Sequence, residues 1–454
     1  MGTSVTRLKN TLRVLMFPWQ AQGHIGPFLR VAKDLGDRGF IIYVCSSSVN
    51  LNLTKKKITE KYQDSIQLIE LHLPLLPELP PYLHTTNGLP PHLNHTLQKA
   101  LKMAKPTYSK ILSNLKIDLV ISDLLLQWSE QVANDQNIPQ VKLLTSGAAV
   151  LAYMVNLNKK PGVEFPFPAI YLRKNELRKM QEALAQSAKD KESDDVDPFA
   201  DQNSQAMLMS TSRIIEAKYI DYFAGFSNWQ VVPVGPPVQD LIASDLHEME
   251  LMRWLGKKPE HSTVFVSFGS EYFLSKRTLE EIAFGLELSN ANFIWVARFP
   301  KGEEQNLIDA LPPGFLERIG DRGRVVDKFA PQQAILNHPS TGGVISHCGW
   351  NSVMEAVDAG VPIIAMPITL DQPMNARLIV ELGVAVEICR DDYGVIHREE
   401  IAQIIKDVIF SKSGENLKAN MRDLSELLKR ARDEEMDTAA EELRRLCKHS
   451  PKLN

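Results

Sequence analysis

At 454 residues the chain is too long for one ordinary hydrophobic core, and two domains of about 200 residues each are expected. Apolar residues make up 44% of the chain and charged residues 23%, a composition typical of globular proteins. The net charge is −4 with acidic and basic residues interleaved, and no apolar run reaches roughly 18 residues; nucleic-acid binding and stable membrane insertion are therefore not expected.

The first third of the sequence alternates strand and helix patterns. Short apolar runs predict strands at 12–17, 40–45, 65–71, 118–122 and 141–144. The first strand is followed by apolar residues at helical spacing from 25 to 35. Because continuous apolar strands separated by helices are buried on both faces, this part predicts an α/β domain with a doubly wound parallel sheet.

The middle of the chain differs in composition. Residues 186–205 are polar and acidic and predict a mobile loop. The Asp195-Val196-Asp197 triplet in this loop resembles a metal-binding DxD pattern, but its position away from a strand end favours a solvated segment. A strand then ends in the rigid stretch VPVGPP. We place the domain boundary there, between an N-terminal domain at 1–238 and a C-terminal domain at 239–454.

The second half repeats the alternation of strands and helices. Strands are predicted at 263–268, 293–297, 325–327, 343–346 and 361–366, and a helix begins near Ser275. Two doubly wound, Rossmann-like domains of this kind are expected to face a cleft. Ligands would bind there, at the carboxyl ends of the strands.

The stretch 329–372 contains the strongest functional signal. Its centre predicts a strand (GGVIS), a tight turn (HCGW) and a helix that begins at Asn351 and Ser352, both strong helix N-caps. A helix that starts after a glycine turn presents backbone N–H groups and a positive dipole end. This arrangement suits a pyrophosphate group.

The same stretch, FAPQQAILNHPSTGGVISHCGWNSVMEAVDAGVPIIAMPITLDQ, resembles the signature box of the plant family 1 UDP-glycosyltransferases, which have the GT-B fold. The segments WQAQGHIGPF, VPVGP and SFGS extend the resemblance over nearly the whole chain. It implies an N-terminal domain that binds the acceptor and holds the catalytic base. The C-terminal domain would bind the UDP-sugar, and its last helix, at about 435–450, would pack back on the N-terminal domain.

The resemblance also implies the donor-binding residues. Phe329 would stack on uracil beside Gln332, and Glu355 would accept the ribose hydroxyls. The phosphates would be held by Ser270, His347, Asn351 and Ser352, and the sugar by Trp350, Asp371 and Gln372. The family usually has Trp at the first position of the box, so weaker stacking is expected from Phe329. Gln372 accompanies glucose in the family, which implies UDP-glucose as the co-substrate.

An inverting transfer needs a base for the attacking hydroxyl, and histidine suits this role. His24 follows the first strand at its carboxyl end, and the resemblance makes it the catalytic base. Asp123 ends the strand DLVISD at the same edge of the sheet and matches the family's catalytic aspartate, which would orient the imidazole. Asp118, at the other end of that strand, would lie far from the site.

The acceptor side is less defined. His84, in the Pro-rich loop LPPYLHTTNGLPPHL, either lines the acceptor entrance or is a satisfied surface histidine. Thr145 and Ser146 end another strand and are further candidates, placed where they would touch the transferred sugar. The segments around 70–93 and 267–302 resemble the subgroup that extends the sugar of an existing glycoside. A small-molecule glycoside acceptor is therefore expected, with a bare aglycone as the alternative.

The remaining expectations concern cofactors and location. No histidine or cysteine spacing indicates a metal site, so neither a cofactor nor a metal is expected beyond UDP-glucose. The four cysteines are far apart and form no CxxC pair, which predicts a cytoplasmic protein. A monomer is also expected. Two other classes stay open: a UDP-sugar epimerase with the same two-domain architecture, and a non-catalytic sugar-nucleotide-binding protein.

Overall fold

The computed structural model describes residues 11–189, 206–226, 229–236, 246–269, 274–298, 307–327, 330–391 and 394–449. Two compact units are present. The first comprises Met1–Val163, Ser187–Gln239 and Arg430–Asn454, and the second comprises Glu164–Gln186 and Asp240–Lys429. Ser270, Phe329 and the triplet Asp195-Val196-Asp197 lie outside the described residues, as does most of the predicted loop.

The described residues of the first half of the chain form seven strands: β1 (Arg13–Phe17), β2 (Ile41–Ser46), β3 (Ile66–Glu70), β4 (Leu119–Asp123), β5 (Gln140–Leu144), β6 (Ala206–Met209) and β7 (Gln230–Pro233). Its helices are α1 (Gln22–Asp37), α2 (Ser48–Lys55), α3 (Asn94–Met103), α4 (Lys105–Leu115), α5 (Trp128–Asn134), α6 (Ala148–Lys159), α7 (Lys174–Lys189) and α8 (Arg213–Ala224). The strands form one parallel sheet in the order β3-β2-β1-β4-β5-β6-β7.

In the part of the second half that the structure describes there are six strands: β8 (Thr263–Ser267), β9 (Asn292–Val296), β10 (Gly323–Val326), β11 (Thr341–Ser346), β12 (Ile363–Ala365) and β13 (Ala385–Glu387). Its helices are α9 (Leu246–Leu255), α10 (Lys276–Ser289), α11 (Leu307–Ala310), α12 (Phe315–Ile319), α13 (Gln332–Leu336), α14 (Trp350–Asp358), α15 (Gln372–Glu381), α16 (Arg398–Phe410) and α17 (Lys412–His449). The strands form a second parallel sheet in the order β10-β9-β8-β11-β12-β13.

Both sheets therefore show the predicted doubly wound pattern. In each sheet the strand order reverses direction at one pair of neighbouring strands. This pair is β1 and β4 in the first sheet, and β8 and β11 in the second. Loops at the carboxyl ends of such a pair diverge to opposite faces of the sheet and leave room for a ligand. Of the predicted site residues, His24 follows β1, Asp123 ends β4, and five lie in the turn and helix that follow β11.

Apolar residues on both faces of the first sheet explain its stability. One face packs against the apolar side of α1 and against the end of α17, with Met436, Ala440 and Leu443 in the same buried cluster as Val14 and Ile121. The other face packs against α3, α4 and α5. Burial of this apolar area is the main stabilising contribution.

The segment Glu164–Gln186 packs within the second unit, although the predicted boundary would place it in the N-terminal domain. Two arginine–glutamate contacts explain its position. Arg377 Nη2 lies 2.9 Å from Glu176 Oε2, and Arg173 Nη1 lies 2.6 Å from Glu387 Oε1. Arg377 is buried, so its guanidinium must be paired, and the carboxylate of α7 supplies the partner.

Three local predictions need correction. The first residues of the predicted loop, 186–189, belong to helix α7. The short strands β6 and β13 were not predicted, because runs of four and three residues are too short for a periodicity signal. Helix α14 begins at Trp350 with Gly349 as its N-cap, so Asn351 and Ser352 lie inside its first turn and do not cap it.

Candidate active site

His24 and Asp123 form a hydrogen-bonded pair at the carboxyl edge of the first sheet. His24 lies in the first turn of α1, and its Nδ1 is 2.7 Å from Asp123 Oδ2. The carboxylate is 2% exposed and also accepts the backbone N–H groups of Trp19 at 3.3 Å and Leu125 at 3.0 Å. Asp123 is thereby fixed in orientation, and it can hold the imidazole with the proton on Nδ1.

The connection after β5 reaches the same histidine. Thr145 Oγ1 is 3.2 Å from His24 Nδ1, and Ser146 follows in the same connection. This connection is anchored at the start of α6 by Glu216, whose two carboxylate oxygens accept the backbone N–H groups of Ala148 and Ala149 at 2.8 Å. The structure therefore brings His24, Asp123 and Thr145 together.

A buried ion pair lies behind the strand that ends in Asp123. Lys142, in the middle of β5, places its Nζ 3.4 Å from Glu130 Oε2 and 3.3 Å from Ser122 Oγ. Burial lowers the pKa of Lys142, and the charge of Glu130 partly restores it. Sequence reasoning missed this pair, although a lysine inside the apolar run QVKLL was a visible signal.

His84 is buried, so of the two alternatives the surface histidine is wrong. Ser47 Oγ donates to the carbonyl of His84 at 2.6 Å, and Thr86 N–H donates to the carbonyl of Gln20 at 2.9 Å. The His84 loop is thereby tied to the β1–α1 connection. The Nε2 atom of His84 has no hydrogen-bond partner among the described residues, and burial lowers its pKa.

In the second unit, β11, the turn that follows it and α14 form the predicted strand–turn–helix arrangement. Cys348 adopts a left-handed conformation with φ of 64°, and the helix begins two residues later at Trp350. The first-turn N–H groups of a helix lack intrahelical partners and attract anions. Asn351 and Ser352 are half-buried in this turn, and Trp350 is 3% exposed.

His347 is the first residue of this turn and is half-buried. Burial lowers the pKa of His347 to about 4, so its imidazole is neutral at neutral pH. A neutral imidazole has one N–H donor and no charge to offer a phosphate. The attraction for an anion at this position therefore comes mainly from the helix N-terminus.

Gln332 and Glu355, both predicted at the nucleoside, lie in direct contact. Gln332 Nε2 donates to Glu355 Oε2, and Ser267 Oγ donates to Gln332 Oε1 at 3.3 Å. The start of α13 and the second turn of α14 are thus joined beside the end of β8. A carboxylate held in this way has a second oxygen that can accept from ribose hydroxyls.

The predicted sugar-binding residues lie at the start of α15. Asp371 is the residue before the helix, and Gln372 is its first residue. The Oε1 atom of Gln372 accepts the backbone N–H groups of Ile368 at 3.0 Å and Thr369 at 3.1 Å, which fixes the direction of its amide. Its N–H donors are the part of the amide that a sugar hydroxyl can use.

The described residues include no group of three or more His, Cys, Asp or Glu side chains arranged to hold a metal ion. Within the same residues, every helix is too short or too polar to cross a lipid bilayer.

Comparison with known proteins agrees with the fold. Residues 10–236 match the family model of a glycosyltransferase N-terminal domain, and 238–441 match the model described as UDP-glucoronosyl and UDP-glucosyl transferase. The chain is 52% identical to a beta-D-glucosyl crocetin beta-1,6-glucosyltransferase from Gardenia jasminoides, over 95% of this chain and 98% of that protein. It is 42% identical to a cyanidin-3-O-glucoside 2-O-glucuronosyltransferase from Bellis perennis, over 96% and 97%.

Among solved structures, UGT2 of Phytolacca americana, complexed with UDP-2-fluoro-glucose and pterostilbene, is similar with a TM-score of 0.76 and 26% identity. The superposition covers 97% of this chain and 100% of the other. Fold and site thus define a glycosyltransferase of the GT-B class. The chain belongs to the plant UDP-glycosyltransferase family, which confirms the resemblance of the sequence and rules against the epimerase and non-catalytic alternatives.

Proposed function

We propose that this enzyme transfers glucose from UDP-glucose to a sugar hydroxyl of a small-molecule glycoside, with inversion at the anomeric carbon. The pairing of His24 with Asp123 carries the mechanistic part of this proposal. The acceptor class is supported by two relatives that differ in the sugar they transfer, glucosyl in one and glucuronosyl in the other, while both names specify a glucosylated acceptor.

The reaction begins with the acceptor hydroxyl beside His24. Nε2 of His24 takes the hydroxyl proton as the oxygen attacks the anomeric carbon of the donor. The bond between that carbon and the UDP oxygen breaks, and its electron pair leaves with UDP. Asp123 accepts the Nδ1–H bond and stabilises the imidazolium that forms, while remaining a carboxylate itself.

The donor is assigned to the second unit. Phe329 stacks on the uracil with Gln332 beside it, and Glu355 accepts the ribose hydroxyls. The start of α14, with His347, Asn351 and Ser352, and also Ser270, stabilises the diphosphate and the charge that develops on it as UDP departs. Trp350, Asp371 and Gln372 contact the sugar, and Gln372 supports glucose by its association in the family.

On the acceptor side, Thr145, Ser146 and His84 are assigned to the substrate. Thr145 is the best supported of the three because it lies within hydrogen-bond distance of the ring of His24. His84 is supported by its buried Nε2, which has no partner among the described residues and can bond to an acceptor hydroxyl. Transfer to a bare aglycone hydroxyl is the alternative.

The deciding experiment pairs UDP-sugars with matched aglycones and their monoglucosides, and reads the products by mass. We expect a gain of one hexose on the monoglucosides with UDP-glucose. Product formation only on the aglycones would contradict the glycoside assignment, and no product with any UDP-sugar would contradict the donor assignment.

We also propose that no metal or cofactor takes part, that the enzyme acts as a monomer, and that it resides in the cytoplasm. Neutral and dipolar phosphate ligands at the start of α14 support the first statement. Activity should be unchanged in excess EDTA, and complete loss of activity on chelation would contradict metal independence.

For the monomer, sedimentation should give a mass near 51.0 kDa. The four free cysteines are consistent with a reducing compartment, and imaging of a tagged chain would test it.

A further inference from the structure

One buried amide joins the two loops of the second unit to which the donor is assigned. Asn375 lies in the first turn of α15 and is fully buried. Its Nδ2 donates to the carbonyl oxygen of Cys348 at 3.0 Å and to Asp371 Oδ2 at 2.9 Å. Both N–H bonds of the amide are therefore used, one on each loop.

The two loops hold different parts of the proposed donor site. Cys348 lies in the turn between β11 and α14, which is assigned to the diphosphate and adopts a left-handed conformation at this residue. Asp371 lies between β12 and α15 and is assigned to the sugar. A UDP-sugar is one molecule with a fixed distance between these parts, so the separation of the two loops must match it.

We infer that Asn375 is a positioning residue that sets the spacing between the diphosphate turn and the sugar-binding carboxylate of Asp371. This inference rests on the proposed donor site and extends it to a residue outside the signature box. Misplacement of a reacting group by about 1 Å can cost on the order of 100-fold in rate. A single amide that holds both loops prevents such a misplacement.

The chemistry of the side chain explains why an amide is suited to this position. A carboxylate at the same place would lack the N–H donors and would repel Asp371. An apolar side chain would leave the buried carbonyl of Cys348 without its donor. The Oδ1 atom of Asn375 has no hydrogen-bond partner among the described residues, so the fold uses the donor end of the amide.

The test uses Asn375→Leu, which keeps the approximate shape of the side chain and removes both donors. We expect kcat/KM for UDP-glucose to fall by roughly 10- to 100-fold. The KM for the acceptor should change by less than about twofold. The dissociation constant of UDP, measured by calorimetry, should change by less than about threefold, because UDP lacks the sugar.

The matched control is Asn420→Leu. Asn420 also donates from Nδ2 to a backbone carbonyl of the second unit, that of Gly383 at 2.9 Å, but it is exposed and on α17. This variant should retain the kcat/KM of the unmodified enzyme within about twofold. Equal losses in the two variants, or equal losses for UDP and UDP-glucose in Asn375→Leu, would overturn the inference.

A second variant keeps the test decisive if Asn375→Leu fails to fold, as judged by circular dichroism. Asn375→Ser has one small donor and leaves space for water, so it should fold and show an intermediate loss of kcat/KM. A value within twofold of the unmodified enzyme would overturn the inference. Failure of the donor assignment itself is recognised separately, because the unmodified enzyme would then bind no UDP.

Discussion

His24 and Asp123 are 99 residues apart in the sequence and 2.7 Å apart in the structure. The pairing of β1 with β4 brings them together, because His24 follows β1 and Asp123 ends β4 at the same edge of the sheet. The carboxylate receives three hydrogen bonds and has almost no exposed surface, so its orientation is set before any substrate binds. At the scale of single residues, this pair is a histidine whose orientation is fixed by a buried carboxylate.

Asp123→Asn tests the role of the carboxylate while preserving the shape of the side chain. The amide cannot stabilise an imidazolium and can favour the wrong tautomer of His24, so kcat should fall by roughly 100- to 10,000-fold. Steady-state kinetics with a glycoside acceptor gives the measurement. Asp118→Asn is the matched control: its carboxylate accepts the N–H of Arg13 at the opposite end of β4, and kcat should stay within about twofold.

His347 should make the stability of the protein depend on pH. Its pKa is about 4 in the folded chain, because of burial, and about 6.5 when unfolded. Acidification therefore protonates the unfolded chain first, so this residue lowers the free energy of unfolding as the pH falls through 6.5 towards 4. Between pH 7 and pH 5 the loss should be about 1–2 kcal/mol.

Urea unfolding of the unmodified protein and of His347→Gln at the two pH values isolates this effect from that of other groups. The variant should lose about 1–2 kcal/mol less than the unmodified protein on acidification. An identical pH dependence in the two proteins would show that His347 titrates normally in the folded state.

At the scale of secondary-structure elements, connections between strands and helices are held by buried side chains. Glu216 on α8 is the main example. Its carboxylate accepts the first two N–H groups of α6 and the hydroxyl of Thr211, and it is fully buried. Because only Gly147 separates Ser146 from α6, these hydrogen bonds also fix the connection that contacts His24.

Glu216→Gln should lower the free energy of unfolding by about 1–3 kcal/mol. The NH2 group of the new amide must face a backbone N–H group, and it cannot accept a hydrogen bond from it. Chemical denaturation measures the effect. Glu441→Gln, at an exposed position on α17 in the same unit, should change stability by less than about 0.5 kcal/mol. Comparable changes in the two variants would contradict the anchoring role.

At the scale of the whole molecule, the two units are not two continuous pieces of the chain. The segment Glu164–Gln186 belongs to the second unit, and the residues from Arg430 onward belong to the first. The end of α17 contributes Met436, Ala439 and Leu443 to the core of the first sheet. The first unit is therefore complete only when the last part of the chain has folded onto it.

Leu443→Ala tests this contribution. The side chain is fully buried, and its truncation should lower the free energy of unfolding by about 3 kcal/mol through lost apolar burial and a residual cavity. Leu427→Ala, on the same helix at a position that is 48% exposed, should cost less than about 1 kcal/mol. Equal unfolding midpoints for the two variants would contradict a core role for the end of α17.

Much of the fold and of the site could be predicted from local sequence. Continuous apolar runs indicated strands buried on both faces, and eleven of the thirteen strands among the described residues coincide with predicted runs in whole or in part. The turn and helix of the signature box have the expected geometry, apart from the N-cap at Gly349. These features were accessible because periodicity, turn chemistry and short motifs act over a few residues at a time.

Other features were decided only by the tertiary structure. The bridge from Asn375 to Cys348, the ion pair of Lys142 with Glu130 and the burial of His84 each depend on contacts between distant parts of the chain. The unit to which the segment Glu164–Gln186 belongs depends in the same way on its pairing with Arg377 and Glu387. A sequence pattern records which face of an element is apolar, whereas the partner of a buried polar group is fixed only when the sheets assemble and bring that partner within hydrogen-bond distance.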